Sequence, residues 1–167
     1  MPLFSARFML QLLFSLMLGL SWAKPAFSNS ELDALLAQDK APPGVVFEIV
    51  ERDGEALTWA VPLVARETKR LRGKFPKLDI AVVTHGREMF ALQKSKRDEQ
   101  AQLHADVESL VKADHVTVHV CGTHAAWRGV DQEAFAGFVD VAPAAPAQIN
   151  NYRELGFVVI RLRQSEP

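Results

Sequence analysis

Cysteine is almost absent from this sequence: Cys121 is the one example in 167 residues. A lone cysteine forms no internal disulfide, so the core alone must hold the fold together. It also excludes a C-x-x-C redox pair and a C-x-x-C-H haem attachment, each of which needs two neighbouring thiols. An excess of one charge is lacking too. Lys and Arg number 19 against 20 Asp and Glu, a formal net charge of -1. With no basic surplus, no whole-protein field draws the chain to nucleic acid or to an anionic membrane surface. The basic cluster Lys69, Arg70, Arg72 and Lys74 follows an apolar helix face and reads as that helix's solvated side. Internal repeats and low-complexity tracts are missing. What remains, 49% hydrophobic and 23% charged residues, is the composition of an ordinary globular domain.

Residues 1–23 form a separate object. Arg7 supplies a positive n-region, and residues 8–20 are an apolar run broken only by Gln11, Ser15 and Gly19. Ser21-Trp22-Ala23 then offers small residues where a signal peptidase reads. Ala26-Phe27-Ser28 allows a second cut, after residue 28. The run is shorter than the roughly 20 apolar residues of a comfortable membrane span, so the segment reads as a cleaved export signal. The expected location is the periplasm, with no stable membrane span after cleavage.

Residues 24–43 read as a leader with a short helix from Glu31 to about Gln38, capped by Ser30 and closed by Pro42-Pro43-Gly44. Residues 44–163 read as one domain. Residues 45–50 are rich in β-formers and end before Asp53-Gly54. Val61, Val64, Thr68, Leu71 and Phe75 then fall at helical spacing until Pro76. Ile80-Ala81-Val82-Val83 is continuously apolar, as a strand buried on both faces must be, and it runs to His85-Gly86. Residues 87–99 read as a short helix passing into an exposed loop. Leu103, Val107 and Leu110 mark the next helix, residues 116–121 a third strand, and residues 139–141 a short fourth. Residues 146–155 form a last helix stopped by Gly156, and residues 157–162 a final strand. This alternation predicts an α/β fold: a mostly parallel sheet with helices on both faces.

In open α/β sheets the ligand site lies beyond the carboxyl ends of the strands. Two strand ends here carry reactive residue types: Thr84-His85-Gly86 and His119-Val120-Cys121-Gly122-Thr123-His124. Cys121 stands where a strand hands over to a helix. Thr123 is a candidate cap for that helix, whose free N–H groups and dipole favour a thiolate. Gly122 leaves space beside the sulfur. The competing reading is a small buried apolar cysteine. His119 shares a strand face with Cys121 by period-2 alternation. His119, Cys121 and His124, with His85 as a fourth, are metal-ligand types, but H-x-C-x-x-H matches no strong structural zinc spacing. Trp59, Trp127 and Phe135 read as core or subunit contacts.

Taken in order, Val118-His119-Val120-Cys121-Gly122, then Ala125-Ala126-Trp127-Arg128-Gly129-Val130, the apolar strand ending at His85-Gly86, and the strand, loop, helix and strand of residues 139–160 resemble the DsrE/DsrF-like family of sulfur-relay proteins. The resemblance implies a three-layer α/β/α fold on a five-stranded parallel sheet and assembly into a homotrimer or homohexamer. It also implies a cysteine that carries a transferable persulfide, and Cys121 occupies that position. Many family members work in the cytoplasm, whereas this chain carries an export signal. The expectation is therefore a periplasmic sulfur carrier or sulfurtransferase-like protein. Cys121 is its sulfur acceptor, and His85, His119 and His124 are candidates for anion stabilisation or proton shuttling. Gly86, Gly122 and Thr123 shape the binding loop. No metal, cofactor or nucleic acid is expected, and the donor and acceptor proteins stay unnamed. The alternative is a non-catalytic oligomeric binding module whose Cys/His loop (His119, Cys121, His124) holds a metal or small ligand.

Overall fold

A computed structural model describes residues 30–164. The export segment of residues 1–23 and the alternative cut after residue 28 lie outside the described residues. Five strands, β1 (Gly44–Ile49), β2 (Asp79–Thr84), β3 (Thr117–Cys121), β4 (Asp140–Ala142) and β5 (Val158–Arg161), form one sheet in the order β4-β3-β2-β1-β5. Every pairing is parallel. The most apolar strands take the central places: Val45, Val46, Phe47 and Ile49 of β1 are fully buried, as is Val83 of β2. Each such side chain removed from water stabilises the fold by about 1.5–3 kcal/mol.

Helices α2 (Leu57–Lys74) and α3 (Ala101–Lys112) pack on one another and on one face of the sheet. Val61 and Val64 of α2, Leu110 of α3, Val82 of β2 and Val118 of β3 meet around a small void there. Alternation turns His119 to the opposite face, where its ring meets Tyr152 of α5 (Ala145–Glu154). The molecule thus has three layers, α/β/α. The chain stays on the first face from β1 to α3 and reaches the other face with α5, so the loops leaving the strands part around the sheet's carboxyl end. This is the crevice geometry in which α/β folds place their sites.

Helix α1 (Ser30–Leu36) belongs to the same core, with Leu32 and Leu35 buried. The Lys74 ammonium donates to the Leu36 carbonyl at 2.6 Å, and Arg70 meets Asp33 at 3.4 Å. The leader helix is therefore docked on the domain. At the other end, α5 stops where Gly156 takes φ +83°, a conformation costly for any residue with a Cβ.

Most element ends shift by one or two residues from the sequence expectation, and one segment differs in kind. Residues 87–99 begin with a 3₁₀ segment, Arg87–Leu92, and a second short one, Lys94–Lys96. Glu88 and Met89 are fully buried there, because Glu88 is drawn inward by hydrogen bonds to the β1 and β2 loops. The fourth strand lies one residue later than expected.

Candidate functional site

The carboxyl ends of β1, β2 and β3 and the start of α5 enclose a cavity of about 530 Å³. Cys121, His85, Gly86, Thr123 and His124 all line it. Five of the seven residues singled out from sequence therefore meet at one place. Gly122 joins two of them, Cys121 and Thr123, without lining the cavity itself, and His119 lies one strand pleat away.

Cys121 is 5% exposed. It is itself the N-cap of α4 (Gly122–Trp127): its Sγ accepts the His124 backbone N–H at 3.5 Å. A second N–H, from Ala145 at the first turn of α5, reaches the same sulfur at 3.4 Å. The sulfur thus faces two helix starts, whose otherwise unpaired N–H groups suit a negatively charged atom. Thr123 does not cap α4. Its N–H and hydroxyl both donate to the Pro143 carbonyl, at 3.0 and 2.8 Å, tying the β3 exit to the loop before α5. At Gly122 an added Cβ would lie 3.1 Å from the Ala142 carbonyl oxygen. Its bareness admits that neighbouring backbone of residues 142–143.

The two cavity histidines are oriented by their partners. His124 Nδ1–H donates to the His85 carbonyl at 2.8 Å, so Nε2 carries the free lone pair. Its ring stands edge-on to Phe90, with centroids 5.1 Å apart, and near Trp127. Trp127 is 80% exposed at the cavity rim, whereas Phe135 is buried. His85 Nε2 pairs with Glu48 Oε1 at 3.0 Å, both side chains being mostly shielded from solvent.

Glu88 fixes the loops beneath. This buried carboxylate accepts from the Thr84 hydroxyl at 2.6 Å, from the Gly86 N–H at 2.8 Å and from the Glu51 N–H at 2.8 Å. Three donors from the exits of β1 and β2 hold a charge that has no cation partner among the described residues. Gly86 has to be bare, since a Cβ there would overlap Glu88 and the Glu51 backbone.

His119 is hydrogen-bonded to the Tyr152 hydroxyl at 2.9 Å and does not line the cavity. Burial lowers its pKa from the ordinary histidine value, with the nearby Asp140 charge opposing the shift. Burial likewise raises the pKa of Tyr152. Among the described residues no group of three or more His, Cys, Asp or Glu side chains is placed to hold a metal ion. Sequence reasoning missed Glu48, Glu88 and Tyr152. Their one local signal was an acidic residue in an otherwise apolar strand, at Glu48.

A family model described as the DsrE/DsrF-like family matches residues 50–161. Among solved structures, the chain is similar to MTH1491 of Methanobacterium thermoautotrophicum, a protein of unknown function. Identity is 20%, the TM-score 0.56, and the match covers 71% of this chain and 97% of that one. The ychN protein of E. coli also matches, at 14% identity and a TM-score of 0.48, over 71% of this chain and 99% of the other. No curated protein sequence matches the chain.

Proposed function

The chain belongs to the DsrE/DsrF-like family, and from that premise we propose that it is a sulfur carrier that accepts sulfane sulfur as a persulfide on Cys121 and passes it to a partner thiol. The family is associated with sulfur relay. The observation that carries the finer reading is the Cys121 sulfur, recessed at a 530 Å³ cavity and facing the N–H groups of His124 and Ala145. In the loading step the Cys121 thiolate attacks the outer sulfur of a donor persulfide. The donor's S–S bond breaks, a new S–S bond forms on Cys121, and the donor leaves as a thiolate. Unloading runs the same exchange with an acceptor thiolate, so no external oxidant or reductant is consumed. The donor N–H groups stabilise the anionic sulfur at each stage, and His85 and His124 stand at the cavity to exchange protons with the leaving thiolates.

The absence of a second cysteine supports a carrier role, because a persulfide on Cys121 cannot be discharged as a disulfide within the subunit. We place the carrier in the periplasm on the export pattern of residues 1–23, and as a homotrimer or homohexamer on the family resemblance. The test is mass spectrometry after exposure to polysulfide. The protein should gain the mass of one or more sulfur atoms, reversibly by reductant, and Cys121→Ser should gain none. A Cys121 that takes up no sulfur and resists alkylation in the native state would leave the family fold without the family chemistry.

A further inference from the structure

Resting on the sulfur-carrier reading, we propose that the sulfur donor is the persulfide of a small, carboxylate-bearing thiol, bound inside the Cys121 cavity by arginines at its wall. Three cavity residues are arginines that arrive from separate segments: Arg52 after β1, Arg87 after β2 and Arg161 at the end of β5. None of the three guanidinium groups makes an ion pair or a side-chain hydrogen bond among the described residues. On α2, by contrast, the guanidinium groups of Arg66, Arg70 and Arg72 are all engaged. Against them the cavity wall offers one carboxylate, Glu51, while neighbouring Glu48 is already paired with His85. The local charge is therefore positive in a chain whose formal net charge is -1. Three unpaired arginines around one concavity suit a carboxylate, which guanidinium binds through two parallel N–H donors.

Size and depth point the same way. About 530 Å³ is the volume of a small-molecule site and far more than a hydrosulfide fills. Cys121 is 5% exposed, so a donor sulfur has to travel into the cavity on a slender carrier. Trp127, Pro146 and Val50 supply apolar wall for the carbon part of such a molecule. The exchange is balanced: the Cys121 thiolate takes the outer sulfur, and the carboxylate-bearing thiolate leaves.

The test compares two persulfides prepared alike, that of mercaptosuccinate with two carboxylates and that of cysteamine with an ammonium group, in mass-resolved loading of the full protein. At low salt the mercaptosuccinate persulfide should load at least about ten-fold faster, and the preference should shrink as salt rises. In Arg52→Gln/Arg87→Gln/Arg161→Gln the ratio should fall to near one. Equal loading by both compounds, or loading by polysulfide but by neither of them, overturns the donor assignment and leaves the carrier reading intact. No loading from any of the three donors overturns the carrier reading itself.

Discussion

The backbone N–H of Ala145 lies 3.4 Å from the sulfur of Cys121, joining the first turn of α5 to the end of β3. With the His124 N–H at 3.5 Å, the sulfur is a shared cap for two helices as well as the proposed reactive atom. Cys121→Ala removes the acceptor and leaves two N–H groups unpaired, that of Ala145 in a buried place and that of His124 in a partly buried one. It should cost about 1–3 kcal/mol in urea denaturation. Cys121→Ser restores an oxygen acceptor and should cost less. Equal losses for the two variants would mean that the sulfur serves only as filling.

Glu88 carries a second prediction. Its two oxygens accept three hydrogen bonds, and all three donors point at a carboxylate. Glu88→Gln sets an amide NH₂ against at least one of those donors. The expected loss is about 1–3 kcal/mol, read as a lower urea midpoint. Because the bonds join Glu51 to Thr84 and Gly86, the cavity wall should loosen as well, and Cys121 should alkylate faster in the native state. An unchanged midpoint would show that the three donors are satisfied without the charge.

Gly86→Ala tests the same loop from the other side. A methyl group there overlaps the Glu88 carboxylate and the Glu51 backbone, so the backbone itself would have to shift. A loss of at least about 1–3 kcal/mol is expected, by the general cost of overpacking. Gly54→Ala is the control, since nothing lies within 4 Å of the added group.

The parts of the fold legible in the sequence were those whose signal is local. A continuous apolar run marked β2, a stretch rich in β-formers marked β1, and the strand-to-helix handover at Cys121-Gly122 marked the site. The same local reading put the helix cap on Thr123, two residues past the sulfur that performs it. It missed the Ala145 and Glu48 relationships because each spans a long stretch of chain, 24 residues from Cys121 and 37 from His85. A backbone N–H, moreover, has no letter in the sequence. Glu88 went unremarked in the sequence, since only the folded loops reveal the three donors that make its burial tolerable. His119 shared a strand face with Cys121 as expected, but one pleat was enough to put it under Tyr152 and away from the cavity.

The pairing of His85 with Glu48 yields a prediction about loading. Glu48 accepts from His85 Nε2, which leaves Nδ1 as the ring's other working nitrogen. If His85 exchanges protons at the cavity, His85→Asn should slow polysulfide loading by about 10²-fold, at the low end of general acid–base contributions. Glu48→Gln keeps an oxygen acceptor and should slow it less than Glu48→Ala does. Loading at the unaltered rate in His85→Asn would remove His85 from the chemistry.

His119 gives the pH dependence of stability. Burial beneath α5 disfavours its charged form, so its pKa in the folded protein lies below that of the unfolded chain, about 6.5. Between the two values the unfolded chain binds the proton more readily, and stability then rises with pH. The contribution of a neutral, buried His119 is therefore complete above about pH 6.5 and is lost as the pH falls below it. Nearby Asp140 favours the charged form and narrows the window without reversing its sign. His119→Gln cannot titrate, yet its amide can still meet the Tyr152 hydroxyl that lies 2.9 Å from the ring in the native protein. Urea denaturation at about pH 7.5 and pH 5.5 should show the unaltered protein losing more stability over that interval than His119→Gln. Equal losses would mean that the ring accepts its proton without disturbing the packing of Tyr152 over β3. The drop at acid pH would then belong to other groups.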